Sequence, residues 1–388
     1  MKMATRLAQA GTRKDPATGS LSTPVYYATT FAHPGLGQST GYDYSRTANP
    51  TRTALEEVLA ELEGGDRGFA FASGMAAVST VMSMFSQGDH ILASDDLYGG
   101  TYRLFETILS RQGIRVDYVD TGSATALQTA VRKETKAIFV ETPTNPTMKI
   151  TDLQQVVTFA RAHNLLTIVD NTFMTPVFQR PLALGADIVI HSATKYLGGH
   201  NDVLAGVVVS QGNDLSDRLS GLQNAIGATL GPQDCWLLLR GMKTLALRMR
   251  QHEENARVLS ARLASHPLVT RVFYPGLPAH PGRAAHERQA TGFGGMISFE
   301  LAHKAMVAPF LRKVDLITFA ESLGSVETLV TFPSRQTHAD IPAALREARG
   351  VTDQLLRLSV GIEDVDDIWA DLQHALEQAG REENFTRQ

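Results

Sequence analysis

The chain is expected to fold as an α/β protein, with a large, mostly parallel sheet of about seven strands followed by a smaller C-terminal α/β domain. Three observations lead there. Seven short apolar runs alternate with helical patterns: GFAFAS (68–73), DHILAS (89–94), RVDYVD (115–120), KAIFVET (136–142), LLTIVD (165–170), ADIVIHS (186–192) and LAGVVVS (204–210). That rhythm belongs to strands joined by helical crossovers, with helices on both faces. The last three runs are largely apolar and read as buried parallel strands. Finally, 388 residues suit one large domain plus a smaller one.

Residues 1–50 are rich in Gly, Thr, Ser and Pro and show little periodicity, so they form a long irregular arm. Such an arm does not sit idle on a compact monomer. Residues 52–64 fit an amphipathic helix closed by Gly64-Gly65. GFAFAS runs into Ser73-Gly74-Met75 and a helix. This turn either frees amides for an anion, aided by the helix dipole, or is a plain tight turn. Tyr98, beside Gly99-Gly100, sits where a loop enters the next helix. Asn145 lies in ETPTNP (141–146), where local turn formation before Pro146 would also account for it. Thr151 is an N-cap candidate for 151–164.

Residues 232–265 are helical in pattern, with Gly241 as the expected interruption, and connect the domains. Beyond them GGMISFEL (294–301), DLITFAES (315–322) and LLRLSVGI (355–362) read as strands, with helices at 304–313 and 364–379. The division is an arm at 1–50, a large domain at 51–245 and a smaller one at 246–388, with REENFTRQ (381–388) frayed.

The residues that carry chemistry cluster at strand ends. Asp170 ends one run, and Lys195 lies just past the next, in Ser192-Ala193-Thr194-Lys195. Ligands of open α/β sheets gather at the carboxyl ends of strands. No other lysine lies between Lys149 and Lys243. An aldehyde cofactor with a basic ring nitrogen needs this pair, a lysine to condense with the aldehyde and an acid to keep the ring protonated. Ser192 and Thr194 add hydroxyl donors suited to a phosphate. A solvated lysine and a turn-capping aspartate would share the same spacing. Tyr44 and Arg46, in GYDYSRTANPT (41–51), point to one side of an extended chain. The arginine fork matches a phosphate, and an ordinary polar loop remains the alternative. Arg357 sits inside an apolar strand, where a guanidinium needs an anion, or else lies at a solvated sheet edge.

Composition excludes other classes. A net charge of −4 leaves no electrostatic footprint for nucleic acid or an anionic membrane. The single Cys235 rules out an intrachain disulfide, suggests a reducing compartment and is expected to pack as a small hydrophobe. MKMATRLAQAG has no apolar signal core, and no run reaches membrane-spanning length. A cytoplasmic enzyme acting on small molecules is expected, with no metal.

The segments VDNTF (169–173), PLALGADIVIHSATKYLGGHNDV (181–203) and AGVVV (205–209) resemble the signature of the Cys/Met-metabolism family of pyridoxal-phosphate enzymes. The likeness runs from about Thr18 to the C-terminal helix. That family holds cystathionine γ-synthases, cystathionine lyases, methionine γ-lyases and O-acylhomoserine sulfhydrylases. The resemblance implies fold-type I, aspartate-aminotransferase-like, with pyridoxal 5'-phosphate on Lys195 and Asp170 at the ring nitrogen. It also implies cofactor-phosphate contacts from the Gly74 and Met75 amides, with Ser192 and Thr194 alongside. Tyr98 would stack on the ring and assist proton transfer, and Asn145 would bond the phenolic oxygen. Tyr44 and Arg46 would reach the cofactor of a neighbouring subunit, which implies a dimer and, by the family pattern, a homotetramer. Arg357 would clamp the substrate α-carboxylate with the backbone of Ser322-Leu323-Gly324.

Two positions bear on the reaction. Asp43 resembles γ-synthases, where γ-lyases carry Glu. Glu321 resembles both γ-synthases and cystathionine γ-lyases and departs from the tyrosine of β-lyases. QNAIGATLGPQD (223–234), LRGMKTLALRMRQH (239–252) and QTHADIP (336–342) resemble bifunctional γ-synthase/O-acetylhomoserine thiolyases. The resemblance therefore implies γ-replacement on an O-acylhomoserine by cysteine or sulfide. Cystathionine γ-lyase activity, with a β-lyase side reaction, is the alternative. The intact Tyr98, Asp170, Lys195 and Arg357 set argues against a silent scaffold. The YSRxxNPT and SATKYLGGH elements argue against an aminotransferase.

Overall fold

The computed structural model describes residues 1–12 and 15–386, residues 383–386 by backbone alone. The seven apolar runs become β1 (Arg67–Phe71), β2 (His90–Ser94), β3 (Arg115–Val119), β4 (Thr135–Glu141), β5 (Leu166–Asp170), β6 (Ile188–Ser192) and β7 (Gly206–Ser210). They form one seven-stranded sheet in the order β1-β7-β6-β5-β4-β2-β3. Its strands alternate apolar residues to both faces. Val140, Val169, Val189 and Val207 pack on one side, and Phe139, Ile168, Ile190 and Val208 on the other. Such two-sided burial requires helices above and below.

From β6 through β5, β4 and β2 to β3 the strands are parallel. β7 is not: it runs antiparallel to both β6 and β1. The reading of 204–210 as parallel is thus corrected. The physical reason lies in the connection, because 193–205 holds no helix and a parallel return needs a crossover, usually helical. The segment instead folds into the tight turn that carries Lys195.

The second sheet joins β8 (Val269–Phe273), β9 (Met296–Leu301), β10 (Thr318–Phe319), β11 (Leu329–Thr331) and β12 (Leu355–Ser359), in the order β10-β11-β12-β9-β8. The expected strand at 315–322 shrinks to two residues. The N–H groups of Asp315 and Ile317 go to the Asp371 carboxylate rather than to a ladder, and Ser322 turns to φ 92°. β8 and β11 were not anticipated. β8 is an edge strand with Thr270 and Arg271 exposed, and β11 is three residues long. Helices Leu245–Ala264 and Val365–Thr386 cover this sheet. The latter continues through most of the tail expected to fray; residues 387–388 lie outside the described residues.

The long helical span breaks as expected near Gly241, into Pro232–Met242 and Leu245–Ala264. Helix Pro50–Glu63 starts where the Asn49 side chain accepts from the N–H groups of Thr51 and Arg52, and it stops at left-handed Gly64. Ahead of it the arm has one short helix, Met3–Ala8. It leaves Tyr27 and Leu36 largely exposed.

Gly206 opens β7 against the end of β1. A Cβ there would lie 2.0 Å from the Ser73 carbonyl oxygen. Gly206→Ala is expected to destabilise the chain by about 1–3 kcal/mol through forced separation of the two backbones. Urea unfolding of the two proteins measures this directly.

Candidate active site

The carboxyl ends of β1, β4, β5 and β6 share one edge of the large sheet. A cavity of about 280 Å³ opens there. Its wall includes Gly74, Met75, Tyr98, Asn145, Asp170, Ser192, Thr194, Lys195, Glu321, Ser322, Leu323 and Arg357 from the sequence reading, together with Ser73, Glu141 and Thr172.

The floor is set by strand register. Glu141 pairs with Asp170 across β4 and β5. Oδ1 of Asp170 accepts from the Thr172 N–H at 3.0 Å and from the Thr172 hydroxyl at 2.6 Å. The Thr172 hydroxyl in turn accepts from the Ser192 N–H at 2.9 Å, tying β5 to β6. Burial raises the pKa of Asp170, while the Thr172 bonds and the nearby His191 oppose the rise. Glu141 is pushed well above the usual carboxylate range by burial and then by the negative Asp170. Of the two acids, Glu141 is pushed further toward its protonated form. Its Oε2 accepts from the Tyr98 N–H at 2.9 Å, which fixes the tyrosine loop over the floor.

Lys195 follows the β6 turn, and its Nζ donates to Ser322 Oγ at 2.8 Å. Burial and the Arg357 cation bring its pKa down to about 8, against an opposing pull from Glu321. Gly324, at φ 79°, lies against the backbone of Lys195 and Tyr196, where a Cβ would come within 2.7 Å of the Tyr196 nitrogen. The lysine loop and the Ser322–Gly324 segment are thus in direct contact.

Arg357, on β12, is 1% exposed. It donates to Asn145 Oδ1 at 2.8 Å, to the Ser322 carbonyl at 3.0 Å and to Thr331 Oγ1 at 3.2 Å. Its Nε has no partner, and all its acceptors are neutral. Burial lowers its pKa to about 10. A buried guanidinium held only by neutral oxygens is a receptor for an anion.

The helix Gly74–Met82 begins at the wall. Ser73 caps it through a bond from the Ala76 N–H. The first N–H groups, those of Gly74 and Met75, have no intrahelical acceptor. A Cβ on Gly74 would lie 2.9 Å from Ser192 Oγ, so the amides and that hydroxyl sit together. Thr194 faces the cavity as well, although its hydroxyl is engaged with both polar backbone groups of Ala205.

Three expected residues are not brought into the cavity by their own chain. Asp43 accepts from Ser39 on the arm. Arg46 donates to the Asn224 carbonyl and side chain, with its guanidinium over the Tyr44 ring. Glu141 and Thr172 were missed as site residues, although each was in view: one ends a strand beside Asp170, the other follows it by two positions. Buried His338, whose Nε2 lies 3.0 Å from the Asn145 carbonyl oxygen, had no local signal because its partner is 193 residues away.

A lysine of lowered pKa, an acid at the end of the neighbouring strand, amides and hydroxyls suited to a phosphate, and a guanidinium held by neutral oxygens fit a phosphorylated pyridine aldehyde with an amino-acid substrate. The fold and this donor set define a pyridoxal-phosphate enzyme of fold-type I. The particular family follows from comparison with known proteins. Residues 4–377 match the Cys/Met metabolism PLP-dependent enzyme family, and the chain belongs to it. It is similar to the cystathionine gamma-synthase of Haemophilus influenzae, 52% identical over 372 residues, or 96% of each chain. It is also similar to the cystathionine beta-lyase of Lactococcus lactis subsp. cremoris (strain MG1363), 50% identical over 374 residues, covering 96% of this chain and 98% of that protein. The crystal structure of cystathionine gamma-lyase from Lactobacillus plantarum complexed with L-serine superposes with a TM-score of 0.96 at 49% identity, over 98% of this chain and 100% of that one. Pyridoxal 5'-phosphate is the cofactor.

In cofactor-free protein, amine-reactive labelling of Lys195 is expected to rise through pH of about 8. A nearby cation disfavours the ammonium form, so Arg357→Met should move that midpoint upward. Quantifying the labelled peptide by mass spectrometry against pH checks both.

Proposed function

We propose that the chain catalyses γ-replacement on an O-acylhomoserine with cysteine or sulfide as nucleophile, as a cystathionine γ-synthase/O-acetylhomoserine (thiol)-lyase. The observation that carries the reading is the meeting of Lys195, Asp170 and Arg357, whose bonds run to neutral oxygens, in one cavity with an acid, Glu321, on its wall. An acidic wall suits the ammonium of an incoming amino acid such as cysteine.

When bound, the cofactor supplies an electron sink for charge developed at the substrate α-carbon. The chain does the rest. Asp170 keeps a proton at the ring nitrogen, and the Gly74 and Met75 amides with Ser192 and Thr194 hold the phosphate. Asn145 would bond the phenolic oxygen, and Tyr98 would stack on the ring, both from the cavity wall. Arg357, with the backbone of Ser322 and Leu323, orients the substrate carboxylate. With its pKa near 8, the Lys195 amine can take a proton from Cα and return it at neighbouring carbons near neutral pH. Tyr98, on the same cavity wall, would be the second group to assist that transfer.

Tyr44, Arg46 and Asp43 lie outside the cavity of their own chain on an arm that exposes Tyr27 and Leu36. We therefore propose that they complete the cavity of a second copy, in a dimer and a homotetramer built from it. Residues 1–50, 51–245 and 246–388 would then serve as arm, cofactor domain and substrate-carboxylate domain. No helix of the described residues is long and apolar enough to cross a membrane. Buried, unpaired Cys235 is compatible with a reducing cytoplasm.

The second reading is γ-elimination from cystathionine, because Glu321 would suit its distal ammonium equally well. Purified protein is expected to be yellow and to lose the colour in Lys195→Ala. Incubation with O-acetylhomoserine and cysteine should yield cystathionine. Release of α-ketobutyrate and cysteine from cystathionine, with no synthesis detected, refutes the first reading in favour of the second.

A further inference from the structure

Ile190 and Ser192 line the cavity, so His191 between them projects from the other face of β6. There it meets Glu63, the last residue of helix Pro50–Glu63. His191 Nε2 lies 2.6 Å from Glu63 Oε1, and both side chains are 1% exposed. Asn171, the residue after Asp170, donates from Nδ2 to the same oxygen at 3.1 Å. The neighbours of Asp170 and of Ser192 therefore converge on one buried carboxylate. Glu63 Oε2 and His191 Nδ1 have no hydrogen-bond partner.

This arrangement is costly for a mere packing contact. A carboxylate removed from water, at the negative end of a helix, needs a cation beside it. His191 is the group within hydrogen-bond distance that can become one. β7 faces His191 with Val207, and Gln179, neutral, bonds to Asn171. The ionisable groups it acts on are Glu63 from the helix and Asp170 from β5, with Glu141 of β4 paired to Asp170 in turn.

We propose that His191 is a positioning residue for the acid at the cofactor ring nitrogen: as an imidazolium compensated by Glu63, it keeps Asp170 ionised from behind while Asn171 anchors the strand end. The inference rests on the reading of Asp170 as that acid. The His191 charge opposes the upward push that burial exerts on Asp170, so its loss raises the pH at which Asp170 takes up a proton.

The test follows the absorbance and retention of bound pyridoxal phosphate in holoenzyme as the pH is lowered. The double variant His191→Gln/Glu63→Gln keeps an amide-to-amide hydrogen bond and leaves no lone buried charge, so it guards against loss of folding. Its acid-side midpoint is expected to move up by about one pH unit, with cofactor affinity on that limb weakened about tenfold. Single His191→Asn should move in the same direction. A midpoint that stays in place or moves down in a double variant whose thermal unfolding matches the parent overturns the proposal. Asp170→Asn separates the two levels of the argument. It should abolish the acid-side transition; if the transition survives, the assignment of Asp170 is wrong and this inference falls with it.

Discussion

Two hydrogen bonds from Thr172 to Asp170 decide where negative charge sits in this molecule. Parallel register places Glu141 and Asp170 side by side at the floor of the cavity. Two adjacent carboxylates there cannot both ionise cheaply. Thr172 gives Asp170 a hydroxyl and an N–H donor, whereas Glu141 is met by the backbone N–H groups of Tyr98 and Asn145 and is pushed further up by burial and by the Asp170 charge beside it. The balance favours the charge on Asp170 and the proton on Glu141. The same hydroxyl accepts from Ser192, so the choice of charge state and the spacing of β5 and β6 are one structural fact. The lysine turn, the Ser192 hydroxyl at the end of β6 and the tyrosine loop all take their positions from these strand ends.

The opposite wall comes from the second sheet and follows a different logic. There a cation is buried among neutral acceptors, with one nitrogen unpartnered. Burying a guanidinium this way sacrifices stability unless an anion arrives to offset the loss. The arrangement makes sense as a site whose best-satisfied state is the occupied one. Lys195 sits between the two walls and feels both, since burial and Arg357 depress its pKa and Glu321 restores part of it.

Much of this was legible in the residues. Seven apolar runs gave the seven strands because two-sided burial forces near-continuous hydrophobic sequence. Asp170 and Lys195 were visible because strand ends are where such sheets keep their chemistry. What escaped was set by distant partners. The reversal of β7 depends on a loop that has no helix to carry it across. β8 and β11 lie in stretches whose pattern is weak, one mixed with charges and the other too short. The strand at 315–322 lost its ladder to Asp371, more than fifty residues on. Glu141 stood near the end of the run KAIFVET with nothing local to single it out, and only the β4–β5 register shows it as half of a carboxylate pair. Tyr44 and Arg46 could be read from their motif, yet one chain alone gives them no cavity to enter.

Why the fold and cofactor are so plain and the exact reaction is not has a physical basis. Relatives near half identity carry synthase, β-lyase and γ-lyase names over the same architecture. On the function proposed above, these reactions would share a Cα proton loosened beside a carboxylate held by Arg357 and an amine held by the cofactor. That shared demand would account for Lys195, Asp170 and Arg357. Outcomes then diverge over which group leaves and whether an outside nucleophile or water arrives next. Differences of about 1–3 kcal/mol between competing paths suffice for such a choice. They can come from a single acidic side chain such as Glu321 at the wall, or from an arm residue such as Asp43 delivered by another copy. The common steps are therefore written in the core of the fold, and the distinguishing ones on its rim, where one substitution can redirect the product without disturbing the strands beneath.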